Sequence, residues 1–306
     1  MGRTVRKLML GTGLCLAAAW PALASAATPA TTIEVEDDDG RQVILQEPAR
    51  RIVSLAPSLT ELLFAAGAGD RVVGVVEYSD YPPPALDIPV IGRYDMLDLE
   101  GILALQPDLV VAWRTGNPRA SVARLEALGL AVYVAEPRSL ASIPDHIEKL
   151  ARLAGTDRQG SQTATVLRAE LAELEARYTT RSPVAVFYQV WNAPLISVGG
   201  NELLNDMISL CGGRNIFADL EQVAPKVSVE SVLTRNPQVI IASGMDIHRP
   251  EWLDEWQRWP ALEAVSLQQL HFIPPELVQR HTPRALQGAR SMCEQIDQAR
   301  IASEIR

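Results

Sequence analysis

The chain has 306 residues, long for one typical core and comfortable for two lobes of roughly 120 to 130 residues each. Hydrophobic residues make up 47% of it, enough for a sizeable core. The formal net charge of −9, with no basic run or basic-aromatic stripe, excludes nucleic acid as a main partner, because phosphate binding needs clustered Lys and Arg.

The first residues read as a targeting segment. Arg3, Arg6 and Lys7 form a positive n-region, and Leu8 to Ala19 an apolar h-region too short to span a bilayer. Ala24-Ser25-Ala26 fits an A-x-A cleavage site, so a signal peptide over 1–26 is predicted. Leu14 precedes Cys15 where a lipid-attachment site needs a small residue, so no anchor is predicted there. No later apolar stretch reaches the ~20 residues of a membrane helix, and the mature protein is expected to be soluble and exported.

Ile33–Val35 and Gln42–Leu45 read as a hairpin turned at Asp39-Gly40. Glu36-Asp37-Asp38-Asp39 sits in turn-like polar sequence and reads as solvated. Residues 51–55 form a short strand, and Ser58 with Glu61 reads as a capping box for a helix running to about Ala66. A strand over 72–76 and a rigid Y-S-D-Y-P-P-P loop follow. Helices over 98–105, 119–128 and from Ser139 or Ser142 to 154 alternate with strands over 109–112 and 131–134. Such βαβα alternation builds a mainly parallel sheet.

Residues 157–178 break the rhythm. Val166, Leu167, Leu171, Leu174 and Tyr178 recur at helical spacing opposite a charged face, which makes one amphipathic helix of roughly 33 Å. It bridges two lobes, or else lies on the surface of the first. Beyond it come strands over 184–190 and 195–198, helices over 202–210 and 251–258, a strand near 271–273 and a last helix over 283–302. The predicted division is therefore a first lobe over 27–156, a linking helix over 157–181 and a second lobe over 182–306.

One stretch occurs twice. Glu100 to Ala112 reads E-G-I-L-A-L-Q-P-D-L-V-V-A, and Glu230 to Ala242 reads E-S-V-L-T-R-N-P-Q-V-I-I-A. Each is a helix, a proline break and an apolar run suited to a strand buried on both faces. Two copies predict two similar lobes with a cleft between them.

No metal-ligand spacing, nucleophile elbow, P-loop or dinucleotide fingerprint appears, and no enzyme is predicted. The chemistry gathers instead at predicted strand ends, where open α/β sheets bind ligands. Tyr78, Trp113, Arg114 and Trp191 follow such strands, and Tyr94 joins them in Gly92-Arg93-Tyr94-Asp95. Flat faces with a polar tip suit a large planar ligand, and lobe packing is the plain alternative. Glu100 and Glu230 each open a helix, where a carboxylate is favourable with the dipole. They also form a matched pair able to meet a partner's arginines. Cys211 and Cys293 read as one disulfide, or as two buried thiols.

The stretches R-I-V-S-L-A-P-S-L-T-E-L-L-F-A-A-G, Y-S-D-Y-P-P and L-E-G-I-L-A-L-Q-P-D-L-V-V-A-W-R-T-G-N resemble periplasmic cobalamin-binding proteins, and C-G-G-R-N-I-F and S-V-E-S-V-L-T-R-N-P-Q-V-I-I-A resemble that family's second lobe. The resemblance covers about residues 50 to 300. It implies an α/β fold of two lobes with mainly parallel sheets joined by one long α-helix. It also implies a location in the periplasm and delivery of cobalamin to the permease and ATPase of an ABC importer, by a monomer. Glu100 and Glu230 match the family's permease-docking glutamates, Tyr78 and Trp113 its pocket aromatics, and Cys211 and Cys293 its disulfide. The segment Glu276 to Arg280, with Gln279 and Arg280 as ligand contacts, matches a second-lobe ligand loop.

Where the family carries a tryptophan ahead of each glutamate, this chain has Tyr94 and Ala224. Haem, with Tyr94 as iron ligand, and ferric siderophores, with Arg93, Arg114, Arg280 and Arg284, are the alternative cargoes. The resemblance implies no resident cofactor. An enzyme or scaffold protein on the same bilobal fold is the reading from a different class.

Overall fold

The computed structural model describes residues 1–2, 32–200, 202–244 and 247–305. The predicted signal peptide, with Cys15, lies outside the described residues apart from its first two. The hairpin forms as β1 (Ile33–Glu36) and β2 (Gln42–Leu45), antiparallel and turned at Asp39-Gly40. Next come β3 (Ile52–Ser54), α1 (Pro57–Ala65) and β4 (Val72–Gly74), then a small ribbon of β5 (Gly92–Arg93) and β6 (Met96–Leu97). The first lobe is completed by α2 (Leu99–Ala104), β7 (Leu109–Trp113), α3 (Arg119–Ala127), β8 (Val132–Ala135) and α4 (Ser142–Ala154). Its sheet runs β4-β3-β7-β8, all parallel. Every residue of β3, β7 and β8 except Trp113 is buried, which is why these strands read as unbroken apolar runs.

The predicted long helix is α5 (Asp157–Tyr178). The second lobe follows: β9 (Val184–Gln189), a ribbon of β10 (Trp191–Asn192) and β11 (Leu195–Ile196), α6 (Leu203–Leu210) and β12 (Gly213–Asn215). After these come α7 (Val229–Arg235), β13 (Val239–Ala242), α8 (Glu263–Ser266), β14 (Leu270–Phe272) and α9 (Arg284–Ile305). The second sheet runs β12-β9-β13-β14, again parallel. Numbered by succession within its lobe, each sheet has the order 2-1-3-4, and β7 and β13, the strands of the duplicated stretch, hold the same third place. α5 packs on α4 of the first lobe and on α6 and α9 of the second, so it joins the lobes rather than lying on one.

Cys211, at the C-terminal end of α6, is disulfide-bonded to Cys293 in α9. Arg300 reinforces the joint by donating to the carbonyls of Cys211 and Ser182 at 3.0 and 2.8 Å.

Four local expectations are corrected. Residues 195–198 give only the two-residue arm β11, antiparallel to β10, instead of a sheet strand. Residues 251–258 wind as a 3₁₀ helix, which buries only Leu253 and Trp256. The polar turn is not simply solvated. Asp37 is buried and accepts hydrogen bonds from Arg41 at 3.1 and 2.9 Å, and Asp38 faces His146 at 2.7 Å. Finally, α1 starts at Pro57 with Ala56 as N-cap and no side-chain cap, so Ser58 lies within the helix instead of at its cap, and Glu61 is bonded to Arg280 and Arg284.

Candidate functional site

In each lobe the chain leaves the first and third strands in opposite directions. Their carboxyl ends therefore open a crevice at the switch point. Ser54 and Trp113 end β3 and β7, Gln189 ends β9, and Ser243 follows β13.

On the first-lobe side three segments are laced together. The Asn117 side-chain amide donates to the carbonyls of Leu55 at 2.9 Å and Tyr94 at 2.7 Å, and its oxygen accepts from the Trp113 N–H at 2.6 Å. This buried asparagine fixes the ends of two strands and the Tyr94 turn in one arrangement. The rings of Tyr94 and Trp113 then meet at 5.8 Å, tilted by 50°. A Cβ at Gly116 would run into the Trp113 indole, so only glycine lets that ring fold back over its own loop. The Glu77 N–H donates to the Gly92 carbonyl at 2.9 Å and docks the Tyr78 loop beside the Tyr94 ribbon. Tyr78 has φ +66° and is 70% exposed: the backbone is held in the left-handed region and the ring is left uncovered at the rim.

Arg114 takes another direction. It pairs with Asp39 at 2.9 Å and donates to the Asp38 carbonyl at 3.1 Å, tying the Trp113 loop to the β1–β2 turn. Arg93 pairs with Asp95 at 2.8 Å, and that hydrogen bond raises its pKa.

On the second-lobe side Trp191 meets Trp252 edge to face at 6.5 Å, and its indole N–H donates to the Ala193 carbonyl at 3.1 Å. Gln279 donates to the Ser243 hydroxyl at 2.9 Å. Asp80 and Tyr81 of the first lobe face Glu276, Gln279, Arg280 and Arg284 of the second around a hollow of about 590 Å³. Across it Arg284 grips Glu61 at 2.9 and 2.6 Å, and Arg280 reaches Glu61 at 3.2 Å and Asp80 at 3.1 Å. Burial disfavours the Arg284 charge, but the bonds and charge of Glu61 outweigh it and raise its pKa.

Of the predicted ligand residues, the fold brings Tyr94 and Trp113 together with the Tyr78 loop docked beside them, and sets Arg280 against the Tyr78 carbonyl and Asp80, with Gln279 lining the same hollow. Trp191 stands at the end of β9 beside Trp252, and Arg114 turns to the hairpin. Sequence reasoning missed Glu61, Tyr81, Asn117 and Trp252. Tyr81 and Trp252 carried an aromatic signal, Asn117 ended an already singled-out strand-end stretch, and Glu61 was hidden inside an apparent capping box.

Glu100 and Glu230 hold the same position. Asp98 caps α2 and Ser228 caps α7, each accepting from the N–H three residues on at 3.0 and 3.2 Å. Each glutamate is the second residue of its helix, and both are exposed. Glu230 has a lowered pKa because its own backbone N–H, and next the Ser228 hydroxyl, hydrogen-bond to it.

Among the described residues no group of three or more His, Cys, Asp or Glu side chains is placed to hold a metal ion, and no helix is long and apolar enough to cross a membrane. Two curated relatives are the Vitamin B12-binding proteins of Vibrio cholerae, 39% identical over 80% of this chain and 88% of that protein, and of Yersinia pestis, 37% identical over 82% and 87%. Among solved structures, the periplasmic vitamin B12 binding protein BtuF of Vibrio cholerae matches with a TM-score of 0.75 and 38% identity, over 83% of this chain and 98% of that one. The periplasmic heme-binding protein RhuT from Roseiflexus matches at 0.68 and 27%, over 82% and 99%. A family model described as periplasmic binding protein spans residues 52–277, from the first strand of the first sheet to the cleft wall of the second lobe. The chain belongs to the periplasmic binding protein family.

Proposed function

We propose that the protein captures cobalamin in the cleft between its lobes and presents it, from the periplasm, to the permease of an ABC importer. The observation that carries this reading is the match to vitamin B12-binding proteins, at 39% and 37% identity, along four fifths of the chain. The geometry supports it. Tyr78, Tyr94 and Trp113 offer a wide aromatic edge on one side of the cleft. Gln279 and Arg280 offer donors on the other. Such a mixture of flat apolar faces and few polar groups suits a large macrocycle bearing amides and a phosphate. The protein acts as a carrier and performs no reaction on its cargo. A two-lobed carrier hinged on a helix is stiff, so capture proceeds with little closure.

The test is a titration of the purified mature protein with cyanocobalamin. Tryptophan fluorescence should be quenched with sub-micromolar affinity. No quenching, together with a Soret shift on adding haemin, would replace cobalamin with haem and give Tyr94 the role of iron ligand.

A further inference from the structure

Arg280 and Arg284 belong to the second lobe. Every hydrogen-bond partner of their guanidinium groups among the described residues belongs to the first: Glu61, Asp80 and the Tyr78 carbonyl. Arg284 also lies over the Tyr81 ring, 4.1 Å from its centroid. At the centre of this bridge is the Glu61 side chain, only 2% exposed and accepting three guanidinium N–H bonds. A buried carboxylate is unfavourable unless cations and donors satisfy it. No first-lobe cation is bonded to Glu61 among the described residues, so its charge is met only while the lobes stand together. The other polar contacts between the lobes are slighter. Leu140 N–H donates one bond to Asp206 at 3.0 Å, and the His281 ring makes one hydrogen bond to the Arg138 backbone, while Arg290 faces only Glu170 of the linking helix, at 3.9 Å. Asp80, the other carboxylate on Arg280, is 57% exposed, and pairs of that kind are weak.

We propose that Glu61 is a positioning residue for the cleft: it sets the separation of the lobes through Arg284 and holds Arg280 against the cleft wall. Binding enters this inference only through the reading that cargo occupies the same cleft. The lobe spacing itself is a property of the empty protein.

The experiment places spin labels on two exposed positions, Asp87→Cys in the first lobe and Glu255→Cys in the second, and measures their distance distribution in the ligand-free protein. Glu61→Gln should lengthen and broaden that distribution and raise the cyanocobalamin dissociation rate about 10-fold, as expected when one partner of a buried charge pair is removed. Arg284→Lys keeps the charge, loses the fork and should shift the distances less, in the same direction; it also stands in if Glu61→Gln does not fold. A fall in melting temperature with unchanged distances would mean that Glu61 serves only α1, and would overturn the proposal. If the unsubstituted protein does not bind cyanocobalamin, the ligand reading falls while the distance measurement still decides the role of Glu61.

Discussion

Asp38 illustrates how much a single side chain in an apparently solvated turn can hold. Its N–H donates to Val134 at 2.9 Å, and its carboxylate accepts from the Glu136 N–H and faces His146 at 2.7 Å. Glu136 in turn holds Thr115, two residues beyond Trp113, at 3.0 to 3.1 Å. The hairpin turn therefore braces the loop that carries Trp113. Burial raises the Asp38 pKa, but the hydrogen bonds from His146 and Glu136 outweigh it and hold it down to about 2. An unfolded aspartate titrates near ~3.9. With the folded value depressed, the contribution to stability is complete above pH ~4 and is lost as the pH falls toward 2, because only the unfolded chain takes up the proton. Asp38→Asn should lower the melting temperature at pH 5, and the gap from the unsubstituted protein should narrow between pH 4 and 3. A gap that stays constant over that interval would show that the carboxylate is not the titrating group. The sequence disguised Glu61 more thoroughly. The S-x-x-E spacing is a local signal, whereas the arginines that claim Glu61 lie 219 and 223 residues away. No window of sequence contains that relation.

At the scale of elements, legibility followed burial. β7, β9 and β13 are buried along nearly their whole length, and their apolar runs marked them in the sequence. β12 is Gly213-Arg214-Asn215, with no apolar run; it is a strand because β9 offers it an edge to pair with. α5 was legible because Leu167, Leu171, Leu174 and Tyr178 recur at helical spacing and are buried, whereas Val166, read onto the same face, is exposed, and the first turns were carried by continuity with that pattern. The joint between α6 and α9 was legible only as two cysteines, yet it fixes how the last helix sits. The Cys211–Cys293 bond closes a separation of 82 residues, which the chain-entropy estimate makes worth about 4 kcal/mol. Replacing both with alanine should cost that order of stability. Hydrogen exchange should rise over 203–215 and 284–300 while β3 and β7 keep their protection. Equal loosening of both sheets would refute a local role for the bond.

For the whole molecule, the two lobes share strand order and share the place of the duplicated stretch, but they diverge where a ligand would sit. β7 ends in Trp113 against Tyr94, while β13 runs into Ser243, which accepts from Gln279. The helix starts have not diverged: a capping side chain, one apolar residue and an exposed glutamate recur at α2 and α7. Capping and the dipole explain why a carboxylate is comfortable there, and Asp98 and Ser228 already meet that need, so neither glutamate is required by its helix. We propose that these two equivalent, exposed acids on equivalent helices form the face that docks on the importer's permease. Glu100→Arg with Glu230→Arg reverses both charges at once. Placing like charges opposite each other at a docking face costs several kcal/mol, so uptake by cells should fall by at least ~100-fold. Cobalamin affinity of the purified protein should stay within about 2-fold, since neither side chain lies among the residues of the cleft and a rim charge acts on its own partner. Each single reversal should give an intermediate loss, because one matched contact remains. If affinity falls along with uptake, the glutamates serve the fold or the ligand. If the double variant transports normally, docking uses another surface.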